Sequence, residues 1–493
     1  MLDPDVCYQA LKARDARFDG RLFVGVTSTG IYCRPVCPAS TAKRENCRFF
    51  LSAAAAQEAG FRPCLRCRPE TAPEHGSWNG SSNTVSRGLS LIASGALDQD
   101  DASVDTLAER LGVGGRQLRR LFQQHLGASP IAVAQTHRVL FAKQLIHETS
   151  LPMAEVALAA GFGSVRRFNE TFQRLYARPP SALRRKTAER KSAERGVSVR
   201  LRFRPPYDWN ALLGFFRARA VEGVERVDTE RYARTLCHEG DLGTLEIRHV
   251  PSDRALVATI RFPNVRALPA IVARIRRQFD LAADLVTIGT QLAEDPWLAP
   301  LVAARPGLRS PGAWDGFELA VRAILGQQVS VVAARRLNAE LVRLCDRRVP
   351  SETASPGLTL VFPSPDDLLA TDLSRLPMPG ARRRALVHLA EAALADPALF
   401  EPRPTIDETV ARLTAVTGIG EWTAQYIALR AARDPDAFPA SDLGLQRGAA
   451  LQLGERPSAR VLLRHAERWR PFRAYAAEHL WAADAAEQQR RAS

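Results

Sequence analysis

The sequence predicts a multidomain, mainly α-helical fold, and three observations carry that prediction. At 493 residues the chain has the length of roughly three domains, ample for real cores. Apolar residues recur at helical spacing from Ser103 to about Arg185 and from about Asp284 to the end, while strand-like alternation is confined to Arg21–Tyr32 and to parts of 199–262. Two polar stretches interrupt these patterns and read as linkers. One is residues 71–90, rich in Ser, Gly, Asn and Pro; the other is Arg184–Ser198, almost without apolar residues.

A net charge of +15 and a pI near 10.0 suit a polyanionic partner, with nucleic acid the first candidate. Of the 68 basic residues only Lys12, Lys43, Lys143, Lys186 and Lys191 are lysines, a ratio that codon bias explains; the excess of base over acid it does not explain. The opening MLDPDVCYQALKARDARF has no apolar signal core and no apolar run approaches a membrane span, so a cytoplasmic location and no membrane partner are expected.

Six of the eight cysteines lie in the first 67 residues. Cys33 and Cys37 follow the strand-like run, and Cys64 and Cys67 form a C-x-x-C after an alanine-rich helical stretch. In a reducing compartment two such pairs read as a four-thiolate Zn²⁺ site, with Cys7 and Cys47 as spares. A site that only staples a small domain has the same pattern. TSTGIYCRPVCPAS, KRENCRFF and AGFRPCLRCRPE together resemble the zinc domain of the Ada family over residues 1–75. The resemblance implies that Cys33 is both ligand and acceptor of a methyl group from a DNA methylphosphotriester. Arg34, Arg44, Arg48, Arg62, Arg66 and Arg68 are then expected to attract the phosphate, and methylation to make the cluster less negative and its DNA affinity higher.

From Ser103, VDTLAERLG turns at Gly112 into GGRQLRRLFQQHLG, with Leu107, Leu111, Leu118, Leu121 and Phe122 apolar. MAEVALAAGF then turns into GSVRRFNETFQRLY, with Val156, Ala160, Phe162, Phe168 and Phe172 in the same places. Each is a helix, a Gly turn and a helix with a polar outer face, and a long helix, Ile131–Glu148, joins them. The tandem resembles AraC-type activators over 86–185. Candidate base readers are Arg116, Gln117 and Arg119 in the first unit, and Ser164, Arg166, Arg167 and Asn169 in the second.

Beyond the linker at 186–198, a strand (VRLRFRPPYDW), a helix (ALLGFFRARAV) and strands at Thr244–Val250 and Ala255–Phe262 form an expected αβ lobe, residues 199–283, and nearly everything after it is helix. In LTAVTGIGEWTAQYIALRAARDPDAFPASD, Leu413, Val416, Ile419 and Ile427 keep helical spacing on either side of Gly418-Ile419-Gly420. That is a helix, a hairpin and a helix. The two glycines let backbone N–H groups at the helix start, with Thr423 one turn on, hold a DNA phosphate without reading sequence. A monovalent cation at the hairpin is a further expectation. Pro435 and Pro439 end the second helix and Asp442 opens the next run, as its N-cap or as a catalytic carboxylate.

This pattern resembles the helix-hairpin-helix, Gly/Pro-rich, aspartate superfamily of DNA glycosylases. FELAVRAILGQQVSV, GIGEWTAQYIALR and ERWRPFRAYAAEHLW are most similar to its AlkA-type members, over about 201–481, with the catalytic domain at 284–485. The resemblance implies that Asp442 faces the sugar as the N-glycosidic bond breaks, and that Trp422, Tyr426, Trp481 and Phe215 line an electron-rich slot for a flipped cationic purine. Gln328 stands where the family has an apolar wedge, and Thr417 replaces the usual hairpin proline. From Ser192 onward there is no lysine to form a Schiff base, so water is the expected nucleophile. Cys237 and Cys345, the only cysteines there, are too few for an iron-sulfur cluster.

The sequence therefore predicts four parts: a small α/β zinc-binding domain, a tandem helix-turn-helix domain, an αβ lobe and an all-α helix-hairpin-helix glycosylase domain. The expected function is DNA alkylation repair and response. A bacterial DNA-3-methyladenine glycosylase II is combined with a single-turnover methyl acceptor and transcriptional activator. Its partners are damaged and promoter double-stranded DNA and RNA polymerase, and it acts as a monomer at the nucleoid. The alternative is a transcription regulator whose glycosylase half is not catalytic.

Overall fold

The computed structural model describes residues 3–73, 82–98, 102–184 and 196–492; positions 74–81 and 185–195 of the two expected linkers lie outside the described residues. The chain divides into two compact units. The first comprises Met1–Phe203, Ala255–Thr259 and Asn264–Ala273, and the second Arg204–Arg254, Ile260–Pro263 and Arg274–Ser493.

In the first unit, strands β1 (Phe23–Val26), β2 (Ile31–Cys33), β3 (Cys47–Phe50) and β4 (Arg62–Pro63) form a sheet in the order β3-β1-β2-β4. β1 pairs antiparallel with β2 and β3. β2 and β4 run parallel, Ile31 opposite Arg62 and Tyr32 opposite Pro63, so one further step sets Cys33 beside Cys64. A helix over Ala53–Glu58, capped by Ser52, makes the crossover.

The expected helix pairs follow as Val104–Leu111 with Gly115–Leu126, and Met153–Ala159 with Val165–Tyr176. Gly112 turns the first pair with a left-handed φ of 73°, a conformation that costs glycine little. All ten apolar residues expected to pack the two pairs are buried. The joining helix runs Pro130–Glu148 and buries polar side chains as well, among them Lys143, Gln144 and Glu148.

In the second unit a helix over Trp209–Arg219 packs Phe216 against Tyr232, ring centroids 5.0 Å apart. Tyr232 belongs to an antiparallel meander of Glu225–Val227, Arg231–His238 and Asp241–Val250. The strand Arg231–His238 escaped the sequence reading because Tyr232 to Leu236 are all buried, which leaves no alternation to detect. Helices Gly316–Leu325, Val331–Cys345, Gly380–Ala395, Ile406–Thr414 and Glu421–Arg430 surround a core that includes Leu325, Leu341, Leu386, Leu413 and Ile427. Helices Leu443–Leu453 and Arg473–Ala492 cross so closely that a Cβ on Gly448 would lie 2.2 Å from the Leu480 carbonyl. Among the described residues no helix is long and apolar enough to cross a membrane.

Candidate functional site

The hairpin forms between Ile406–Thr414 and Glu421–Arg430. Its two glycines serve different ends. Gly418 has φ 98°, and a Cβ there would lie 2.3 Å from Ala385 Cβ, so it lets the turn sit on the core. Gly420 is the N-cap of the second helix, and nothing lies within 4 Å of where its Cβ would be, which leaves the helix start open for an anion. The Ile419 side chain is buried in the core, and Thr423 is buried too, with its hydroxyl 3.4 Å from Gln327 Nε2. The Ile419 and Thr423 side chains are thus held inward, and the open side of the turn is at Gly420.

Asp442 caps the helix Leu443–Leu453: its Oδ1 accepts from the Leu445 N–H at 3.0 Å. The same oxygen accepts from Trp481 Nε1 at 2.9 Å, and Oδ2 accepts from Trp422 Nε1 at 2.9 Å. The carboxylate is thus half-buried and aimed by three N–H donors, and the capping and catalytic readings are compatible. Gly444 makes room, since a Cβ there would come within 3.0 Å of both Asp442 Oδ1 and Trp481.

Trp422 and Tyr426 stack in parallel, centroids 5.4 Å apart and planes 6° off. Three of the aromatic residues expected to line an electron-rich slot have a buried cation beside them that the sequence reading missed. The guanidinium carbon of Arg430 lies 4.7 Å from the Phe215 centroid, 5.1 Å from Trp481 and 5.5 Å from Tyr426. Arg430 is buried, donates to the Pro311 carbonyl at 3.0 Å and is ion-paired with buried Glu478, which also accepts from Ser310 at 3.1 Å. Burial pushes the Glu478 carboxyl up, against the pull of Arg430. Burial would lower the Arg430 pKa, but Glu478 and Tyr426 together outweigh it and raise it above its ordinary value. The spacing held a clue: Arg430 lies one helical turn after Tyr426, and Glu478 one turn before Trp481.

Gln328, where the resemblance would put a wedge, has φ 57° and is exposed between Gln327 and Val329. Gln327 ties this turn to the hairpin through the Gly418 carbonyl at 3.2 Å, and Arg382 holds the Gln327 carbonyl at 2.7 Å. Val329, Val331 and Val332 are exposed beside it.

In the first unit the sulfurs of Cys33, Cys37, Cys64 and Cys67 lie within 4.8 Å of one another, and only Cys33 is more than marginally exposed. A zinc tetrahedron needs sulfurs about 3.8 Å apart, so the set fits with a small contraction. Backbone N–H groups of Arg34 and Arg66 point at Cys67 Sγ (3.4 Å) and Cys64 Sγ (3.3 Å), the donors a thiolate requires. Hydrogen bonds shared among the crowded sulfurs push Cys33 up and pull Cys64 down. Cys7 and Cys47 pack in a separate apolar cluster.

Two arginines expected to draw in phosphate have other work. Arg34 is buried on Asp19 and Thr71, and Arg68 binds Glu70 at 2.9 Å and Glu148 at 3.1 Å. Arg66 is exposed and Arg62 half-buried, while Arg44 and Arg48 lie over aromatic rings. Of the base-reading candidates, Arg116, Arg119, Arg166, Arg167 and Asn169 are exposed and Gln117 is half-buried; Ser164 caps its helix through the Arg167 N–H at 3.1 Å.

Three stretches of the chain match known families. Residues 6–70 match the family described as metal binding domain of Ada, 107–186 a helix-turn-helix domain, and 198–315 the AlkA N-terminal domain. The chain is 43% identical, over 97% of its own length and 96% of the relative's, to the "Probable bifunctional transcriptional activator/DNA repair enzyme AlkA" of Mycobacterium tuberculosis. It is 36% identical to the Escherichia coli DNA-3-methyladenine glycosylase 2 over 57% of this chain and 95% of that one. Among solved structures, the 3-methyladenine DNA-glycosylase from Archaeoglobus fulgidus shares the fold at TM-score 0.52 and 24% identity, covering 58% of this chain and 97% of that one.

Proposed function

The chain belongs to the family of bifunctional transcriptional activator/DNA repair enzymes in which an Ada-type regulator is fused to an AlkA-type glycosylase, and from that membership we propose how its residues divide the work. It is a DNA-3-methyladenine glycosylase and a zinc-binding, DNA-binding activator. We assign methyl acceptance to residues 1–75, promoter reading to 86–185, and base excision to 199–283 with 284–485.

In the excision reading an alkylated purine, flipped from the duplex, stacks against Trp422, Tyr426 and Trp481. Positive charge grows on the anomeric carbon as the bond to the base breaks and the bonding pair leaves with the purine. Asp442 stabilises that charge and orients the water that adds in place of the base, the water losing a proton to solvent as its oxygen bonds to the anomeric carbon. The observation that carries this reading is the aim of the Asp442 carboxylate, whose two oxygens are held by the indoles of two of the stacking residues. With no lysine after Lys191, the reaction stops at an abasic site.

Cys33, Cys37, Cys64 and Cys67 would hold Zn²⁺, which keeps the sulfurs deprotonated. Cys33, the accessible member, attacks the methyl carbon of a methylphosphotriester; the carbon–oxygen bond breaks and a phosphodiester anion departs. Arg116, Gln117, Arg119, Ser164, Arg166, Arg167 and Asn169 form the promoter-reading set. Two helix-turn-helix units in one chain supply the reading helices that other regulators obtain by dimerising, which favours a monomer, and activation then requires contact with RNA polymerase.

One incubation tests both halves. Purified protein is mixed with methylated duplex, freed bases are chromatographed, and the protein is digested for mass analysis. Asp442→Asn is expected to lose at least about 100-fold in base release while retaining DNA binding and a methyl on Cys33. Full release by that variant would refute the role of Asp442, and a methyl elsewhere or nowhere would refute that of Cys33.

A further inference from the structure

We propose that Arg430 sets how strongly the excision site prefers a cationic base over a neutral one, an inference that rests on the glycosylase reading above. An aromatic ring attracts a cation through the negative potential of its face. In this site that potential is already engaged from within. One buried guanidinium lies within 5.5 Å of the centroids of Phe215, Tyr426 and Trp481, and Phe215 has a second, that of Arg219, at 4.0 Å. A ring polarised toward a resident cation offers less to another cation on its free face. A neutral purine stacks mainly by dispersion and apolar burial, and loses little. Glu478, ion-paired with the guanidinium, limits how much of its positive field reaches a bound base. The Arg430–Glu478 pair therefore acts as a selectivity element behind the rings, and it is a positioning and specificity device rather than a group that touches the reacting atoms.

The test is a ratio of single-turnover excision rates on one duplex context, 7-methylguanine (cationic) over hypoxanthine (neutral). Arg430→Met removes the resident cation, and the ratio should rise about tenfold, the effect of one partly desolvated cation–π contact. Glu478→Gln keeps the shape and leaves Arg430 uncompensated, and the ratio should fall. Arg430→Lys keeps the charge, and the ratio should stay within about twofold of the wild type. A purely structural role would slow both substrates alike and leave every ratio unmoved; that result, or a rise in Glu478→Gln, overturns the inference. Should Arg430→Met fail to fold, the fall required of Glu478→Gln beside an unmoved ratio in Arg430→Lys still decides it. A wild-type protein that frees neither base would instead sink the glycosylase reading, so the two failures are distinguishable.

Discussion

The carboxylate of Asp442 shows how one residue combines a local duty with a long-range one. As an N-cap it needs only the backbone N–H three positions on, which the sequence reading could foresee. Its alignment for chemistry depends on two indoles, one from the hairpin helix and one from the C-terminal helix. Trp422→Phe keeps the stacking surface and deletes one charge-assisted hydrogen bond, about 1.5 kcal/mol, so the single-turnover excision rate should drop roughly tenfold. Affinity for an abasic duplex should be unchanged; an unaltered rate would mean that the remaining donors suffice to hold the carboxylate. The shared face of Trp422 and Tyr426 was legible because it needs only a four-residue spacing. Arg430 was not, because an arginine in a helix reads as a solvated residue until Glu478, far along the chain, is seen to neutralise it.

The hairpin element carries a division of labour that the pattern Gly-x-Gly conceals. Both glycines suggested close approach to a phosphate, yet only Gly420 opens outward, while Gly418 fits against Ala385 with a left-handed φ of 98°. Gly418→Ala should therefore destabilise the second unit by about 2 kcal/mol through strain and overlap, read as a lower urea midpoint. Gly420→Ala, at an extended φ of −84°, should leave that midpoint nearly unchanged and weaken DNA binding. Equal loss of stability in both variants would contradict the distinction. Amphipathic helices were readable because each shows one buried face. The strand Arg231–His238, buried on both faces, and the left-handed turn at Gln328 depend on what packs around them and left no local signature.

Across the whole molecule, the zinc centre and the tandem helix pairs are parts of one compact unit rather than separate beads. Lys143, on the helix that joins the two pairs, donates to the Cys64 carbonyl at 2.9 Å and to Glu70 at 2.8 Å, fully buried. Burial alone would raise the Glu70 carboxyl; Lys143 and Arg68 outweigh it and leave it below the usual range. Lys143→Met would leave that carboxylate with Arg68 as its counter-charge and remove one buried charged hydrogen bond, and should cost about 2 kcal/mol, with zinc-centre and helical signals melting together at a lower temperature. Separate melting of the two in the parent protein would argue against a shared unit. Features set by near neighbours can be read along the chain: the cysteine spacing, the two helix-turn-helix repeats, the glycine hairpin and the acid that follows it. The pairings of Lys143 with Glu70 and of Arg430 with Glu478 exist only once the chain has folded. A buried cation is tolerable only beside a counter-charge, and which distant residue supplies it depends on how the chain folds back.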